Sequence, residues 1–172
     1  LSTNGGVKCW GDNDFGQLGK NNTDNIGDAV GEMGNILKTI DLGNNFTVIK
    51  ISAGSYHVCA LSDYGAIKCW GRNNYGQLGY GDNKNRGDDQ GEMGDELMDV
   101  DLGMDFKVKD ITAGGYHTCA LSVSNELKCW DFNYYGQLGY GHYNNIGDNA
   151  TEMGNNLSVV SIGIDFTLKD VF

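Results

Sequence analysis

The chain has 172 residues, 27 of them Gly and none Pro, with 40% apolar and 10% aromatic residues, a composition that suits one globular core. Twelve Lys and Arg against 23 Asp and Glu leave a formal charge of -11, which repels phosphate backbones and anionic lipid and makes nucleic acid a poor partner. Apolar runs are far shorter than the ~20 residues of a membrane-spanning helix and no charged-then-apolar leader precedes Leu1, so neither a span nor a signal segment is expected.

From the N-terminus, Asn4-Gly5-Gly6 supplies the positive-φ positions of a tight turn and leads into a short run that ends at Cys9-Trp10. Gly16-Gln17-Leu18-Gly19, Gly31-Glu32-Met33-Gly34 and the turn pair Leu42-Gly43 follow. The chain then begins again. Cys69-Trp70 and Cys129-Trp130 repeat the first pair at a spacing of 60, and 32 positions are identical between residues 1–60 and 61–120 with no insertion. The sequence is an array of units 1–60, 61–120 and an incomplete 121–172. Leu1 aligns with Leu61 and Leu121, and Phe172 with Thr112, so the segment is expected to start and stop inside a unit. It then belongs to a longer chain or is completed by neighbouring copies as a homo-oligomer.

Within a unit the apolar residues fall in short alternating runs bounded by Gly, Asn and Asp, at Leu97 to Leu102, Phe106 to Ile111, Tyr116 to Leu121 and Leu127 to Trp130. They predict four strands per unit, with a hairpin turn at Asp63-Tyr64-Gly65 and no helix of useful length. The stretch from Tyr80 to Asp95 lacks periodicity and reads as a long loop between the third and fourth strands.

Residues 53–79, AGSYHVCALSDYGAIKCWGRNNYGQLG, carry Ala-Gly-x-Tyr-His-x-Cys-Ala-Leu, Lys-Cys-Trp-Gly-x-Asn and Tyr-Gly-Gln-Leu-Gly, and the pattern continues in register along the whole chain. This signature resembles the regulator of chromosome condensation repeat family. The resemblance implies an all-β fold of four-stranded antiparallel blades in a β-propeller, commonly of about seven blades, of which roughly three are present here. A set this small does not close alone; it forms part of a larger ring or an open superhelical array. The loop from Gly81 to Leu97 exceeds the common repeat, as in an extended subtype that resembles secreted or surface-associated members. Asp131 and Phe132 depart from the pattern, replacing Gly11 and Gly71, and Asp12 and Arg72, so the turn after Trp130 is expected to differ in backbone shape. The exchange-factor activity of the family's name-giving member does not follow from the repeats, which host unrelated functions.

Cys59 and Cys69 flank one predicted hairpin and Cys119 and Cys129 the next, so antiparallel pairing sets each couple opposite, within disulfide range. Cys9 would pair outside the segment. Buried reduced thiols are the alternative. A zinc site is not expected, because no second Cys pair stands at ligand spacing. Sequons at Asn21, Asn45, Asn149 and Asn156, together with paired Cys, point to an extracellular or cell-surface glycoprotein, although an Asn-rich chain yields about two by chance.

His57 and His117 recur with their flanking Gly residues, which suits a structural role better than a single catalytic base. Trp10, Trp70 and Trp130 are expected to pack blade on blade, and Met33, Met93 and Met153 to anchor the long loop; Tyr80, Tyr135, Tyr140 and Tyr143 are surface candidates, and His142 is expected to be exposed. Asp28 and Glu32 recur as Asp88 and Glu92 and as Asp148 and Glu152, but an EF-hand template puts Lys84 and Arg86 at ligand positions. No metal is assigned; these acids are the weak candidates for a non-standard Ca²⁺ loop, and turn capping is the competing role. No catalytic constellation stands out. The leading expectation is a non-enzymatic extracellular structural or adhesive scaffold that polymerises through its edges. A protein-interaction propeller, such as a small-GTPase exchange-factor-like module, is second, and a Ca²⁺-dependent sugar-binding propeller third.

Overall fold

β-Branched residues dominate β1 (Val48–Ala53), and β2 (His57–Ser62) is buried along its whole length, as a central strand must be. β3 (Ile67–Gly71) completes an antiparallel sheet ordered β1-β2-β3. The computed structural model describes residues 1–163 and 165–171. Within them β4 (Val108–Ala113), β5 (His117–Ser122) and β6 (Leu127–Asp131) form a second sheet in the same order. Register repeats as well: Cys59 lies opposite Cys69 and Cys119 opposite Cys129, and both first strands bulge, between Val48 and Lys50 and between Val108 and Asp110. Ser62 closes the β2–β3 turn, its Oγ accepting from the Ala66 amide at 2.9 Å.

Each sheet therefore has three paired strands where four were expected. The stretch 97–102 is extended beside β3 but joined to it by one backbone bond, from the Val100 amide to the Ile67 carbonyl at 2.8 Å. Tyr80 takes up the next free groups along β3. Its hydroxyl donates to the Cys69 carbonyl at 2.9 Å and accepts from the Cys69 amide at 3.0 Å, consuming the groups with which a fourth strand would pair. The Tyr140 hydroxyl likewise accepts from the Cys129 amide at 3.1 Å, and its single proton faces the carbonyls of both Cys129 and Ser158, at 3.0 and 2.9 Å. Tyr80 and Tyr140 are thus half-buried structural pins and not the surface residues expected; burial raises the pKa of both phenols.

The core fills the space between successive sheets, with Leu61, Ile67, Leu78, Ile111 and Trp130 almost wholly buried. Backbones approach closely at the Gly-Gln-Leu-Gly turns. A Cβ on Gly16 would lie 2.3 Å from the Asp88 amide nitrogen of the next unit, and one on Gly76 would lie 2.4 Å from that of Asp148. Only Gly fits there, which is why the tetrapeptide recurs unchanged.

Candidate functional site

The junctions between units hold several of the recurring residues. Trp70 and Trp130 are fully buried, and their indole N–H groups donate to the Gln17 and Gln77 carbonyls of the preceding unit at 3.0 and 3.1 Å. Trp10, by contrast, is 61% exposed. Lys68 Nζ reaches the Leu42 carbonyl at 2.8 Å and that of Gly94 at 3.2 Å, and Lys128 repeats this at Leu102 and Gly154. Each ammonium also faces a ring, Phe46 at 5.3 Å and Phe106 at 4.9 Å. Asn13, Asn73 and Asn133 organise the turns from within, each accepting from the amide five residues on.

His57 is buried, and its Nε2 lies 2.9 Å from the Thr118 hydroxyl, which donates onward to the Gln77 carbonyl at 3.0 Å. Burial, with the nearby His117 second, lowers the His57 pKa to about 4, so the ring is neutral at pH 7. It ties one blade to the next. His117 occupies the same position on β5 and its pKa is likewise lowered by burial. Cys59 and Cys69 are disulfide-bonded, as are Cys119 and Cys129, with Cα atoms 4.1 Å apart in both pairs. Cys9 is a free thiol whose pKa is raised by burial.

The acidic loop is a backbone clasp. Glu32 accepts from the amides of Gly27 and Ala29 at 2.7 and 3.1 Å, and Glu92 and Glu152 accept from the matching amides of their own units. Asp88 accepts from Asn85 Nδ2 at 2.9 Å; burial and the neighbouring Asp88 and Asp148 raise the pKa values of Glu92 and Glu152. Among the described residues no three His, Cys, Asp or Glu side chains group closely enough to hold a metal ion. Asp28 and Asp148 sit in the same loops without forming such a group. Met93 and Met153 are buried under these loops, whereas Met33 is exposed.

Of the sequon residues, Asn21 is half-buried and its side-chain oxygen accepts from the Glu92 and Met93 amides, both at 3.1 Å. Asn45, Asn149 and Asn156 are exposed. Asn156 Nδ2 donates to the Thr151 carbonyl at 2.9 Å.

One loop face, built from the turns after β3 and β6 and those before β2 and β5, carries side chains that differ between units. Arg72 lies over Phe15 and Tyr56, its guanidinium carbon 4.7 and 5.6 Å from the ring centroids. One unit later Phe132 takes the place of Arg72, packing on Tyr75 and Tyr116 at 5.2 and 6.2 Å. Tyr134 and Tyr135 extend the array into solvent, and Tyr143 and His142 are exposed in the long loop.

Asp131 keeps the backbone shape of the Gly it replaces. Its φ is 97°, against 104° at Gly71, so the expected change of turn geometry does not occur, and the strain of a left-handed side chain is accepted instead. Its carboxyl is buried, neither oxygen has a hydrogen-bond partner among the described residues, and burial pushes its pKa up to about 9. The ladder explains the fixed backbone: Asp131 bridges Ile146 as Gly71 bridges Arg86.

The regulator of chromosome condensation (RCC1) repeat model matches residues 4–61 and 64–121, and a second model of the same repeat matches 48–77 and 108–137. Among curated proteins, the chain is 29% identical over 137 residues to the ultraviolet-B receptor UVR8 of Arabidopsis thaliana, covering 78% of this chain and 27% of the receptor. It is 30% identical over 140 residues to the E3 ubiquitin-protein ligase HERC2 of Homo sapiens, covering 81% of this chain and 3% of the ligase. Among solved structures, Prp20p from Saccharomyces cerevisiae superposes with a TM-score of 0.61 at 22% identity, over 88% of this chain and 33% of that one. Human WBSCR16 gives a TM-score of 0.62 at 20% identity, over 94% and 36%. The chain thus spans from 3% to 36% of the length of these relatives.

The extracellular or cell-surface expectation is corrected by these matches: the RCC1, UVR8 and HERC relatives are intracellular proteins of nucleus or cytosol. Paired Cys and sequons misled because cross-strand Cys geometry follows from the repeat register, and sequons accumulate by chance in an Asn-rich chain. A secreted glycoprotein and a filament lose their support with it. The repeats themselves are non-catalytic, and no helix is long and apolar enough to cross a membrane among the described residues. Matched over both complete periods, with antiparallel blades joined by repeated Trp and Lys devices, the chain belongs to the RCC1 repeat family of β-propellers.

Proposed function

We propose that this chain is a protein-interaction segment of an RCC1-type propeller, which works by presenting the loop face to a partner. The observation that carries this reading is a division of labour. Recurring polar groups such as His57, Lys68 and Glu92 are spent on the blades and their loops, while the unit-specific side chains Arg72, Phe132 and Tyr134 gather on one face. Binding functions concentrate on loops held by a rigid scaffold, and aromatic and Arg side chains dominate the energetics of protein interfaces. The test is photo-crosslinking of the full chain with a probe at Tyr134 or at exposed Val30 in the first long loop. A discrete protein adduct at Tyr134 and none at Val30 is expected. Equal labelling at both positions, or none at Tyr134, overturns the reading.

A second reading, exchange-factor-like action on a small GTPase, is favoured by one match: the structure of Prp20p is described with its binding to Gsp1p and histones. It requires that the full chain accelerate release of a labelled nucleotide from a Gsp1-type GTPase. An unchanged release rate removes it and leaves the binding reading intact.

A further inference from the structure

The ring pairs of the loop face form equivalent slots, and their occupants define what the face accepts. Phe15 and Tyr56 make the first slot, filled by the chain's own guanidinium of Arg72. Tyr75 and Tyr116 make the second, with centroids 6.2 Å apart, and Phe132 fills it with a third ring. Tyr134 then stacks on Phe132 at 6.3 Å with its plane tilted by only 16°, and is 66% exposed. Along this face the residues shift from acidic and exposed, at Asp12 and Asp14, through Arg72, to uncharged and aromatic at Phe132 and Tyr134. Asp131, next to Phe132 in the chain, is held neutral chiefly by burial.

Resting on the binding reading above, we infer that the rail of Tyr75, Tyr116, Phe132 and Tyr134 binds an arginine-bearing protein segment by guanidinium stacking, with Asp12 and Asp14 receiving further cations of the same segment. The first slot shows that such a ring pair holds a guanidinium within stacking distance. Charge points to the same occupant, since a chain of net charge -11 attracts a basic segment and repels an acidic one. Arg72 is the opposing charge between the two ends, and Asp12 and Asp14 on either side of Asn13 offset it. Arg is preferred to Lys because its planar, weakly hydrated cation lies flat on a ring, whereas an ammonium keeps its water.

The test uses the full chain and two fluorescent peptides, alternating Gly with Arg and Gly with Lys, followed by polarisation. Saturable binding of the Arg peptide is expected, with the Lys peptide about fivefold weaker. Tyr134→Ala should weaken the Arg peptide about fivefold without moving the melting temperature. Phe132→Arg should abolish binding while the protein stays folded, since the first junction already accommodates Arg at that position. No peptide binding, equal Arg and Lys affinities, indifference to both variants, or displacement by a neutral oligosaccharide overturns the inference. If the Tyr134 crosslink to a protein survives any of those results, the binding reading stands and only the partner chemistry fails; loss of both rejects both.

Discussion

The two junctions between successive units share a backbone frame and differ in what they place on it. Both bury a Trp whose indole donates to a Gln carbonyl and a Lys that bridges two carbonyls of adjoining segments. At the first junction Gln17 Nε2 donates to Asp12 at 2.6 Å, Gly71 takes the positive φ, and Arg72 stacks on Phe15 and Tyr56. At the second, Asp131 takes the positive φ, a ring replaces the guanidinium, and among the described residues neither Gln77 Nε2 nor the Asp131 carboxyl has a hydrogen-bond partner. The difference teaches that hydrogen bonds to main-chain carbonyls hold the blades in place whatever the neighbouring side chains are. The loop face is then free to diverge, and the second junction has exchanged stability for a different surface.

Removing the shared device should have the largest effect and should erase the distinction between junctions. Trp70→Ala and Trp130→Ala are each expected to destabilise the fold by about 3–5 kcal/mol in urea denaturation, because a buried ring and its hydrogen bond are lost together. Trp10→Ala, at an exposed position, should stay within about 0.5 kcal/mol. Equal losses at all three sites would mean that burial at the junctions is not what the Trp residues contribute.

Asp131→Gly sharpens the comparison by making the second junction like the first. It should stabilise the chain by about 2 kcal/mol, relieving both the left-handed strain and an unpartnered buried carboxyl. The sign with pH follows from linkage. The folded-state pKa of Asp131, about 9, lies above its unfolded value, so the native state holds the extra proton between them and this group makes stability fall as pH rises through that range. The advantage of the Gly variant therefore widens from pH 5 to pH 8. Asp131→Asn, which keeps the strain and removes the ionisation, should show no such trend.

A smaller effect is expected at the hydroxyl that links His57 to the second junction. Val58 stands where Thr118 does one unit later, so Thr118→Val fits sterically and costs about 1 kcal/mol by leaving His57 Nε2 unpartnered. Because burial holds the folded His57 pKa near 4, below its unfolded value, its contribution is complete above about pH 6.5 and is lost as pH falls towards 4. Calorimetric scans across that range check the slope, and His57→Asn should flatten it.

Much of this was legible because the constraint behind it is local. The Gly of each Gly-Gln-Leu-Gly turn, the hairpin at Asp63-Tyr64-Gly65 and the Cys pairs placed across it all follow from short-range chemistry repeated at one spacing. The role of Tyr80 was not legible, since it looks like any loop aromatic until its hydroxyl is seen on the Cys69 main chain. Nor was the loop face: Phe15, Tyr56 and Arg72 lie in two units and meet only when the blades stack. The extracellular expectation failed for a different reason, because Cys spacing and sequons report chain composition and register and do not report compartment.

By itself, the sequence determined the period, the all-β class and the family, because those depend on which residues tolerate tight turns and half-buried strands. Only the tertiary structure decided which side chains became neighbours. It put Trp130 on Gln77, spent Glu92 on its own loop, buried Asp131 without a partner and lined up the rings of the loop face. Those outcomes depend on how one sheet packs on the next, and residues 50 to 60 positions apart have no signature in the sequence until that packing brings them within a few ångströms.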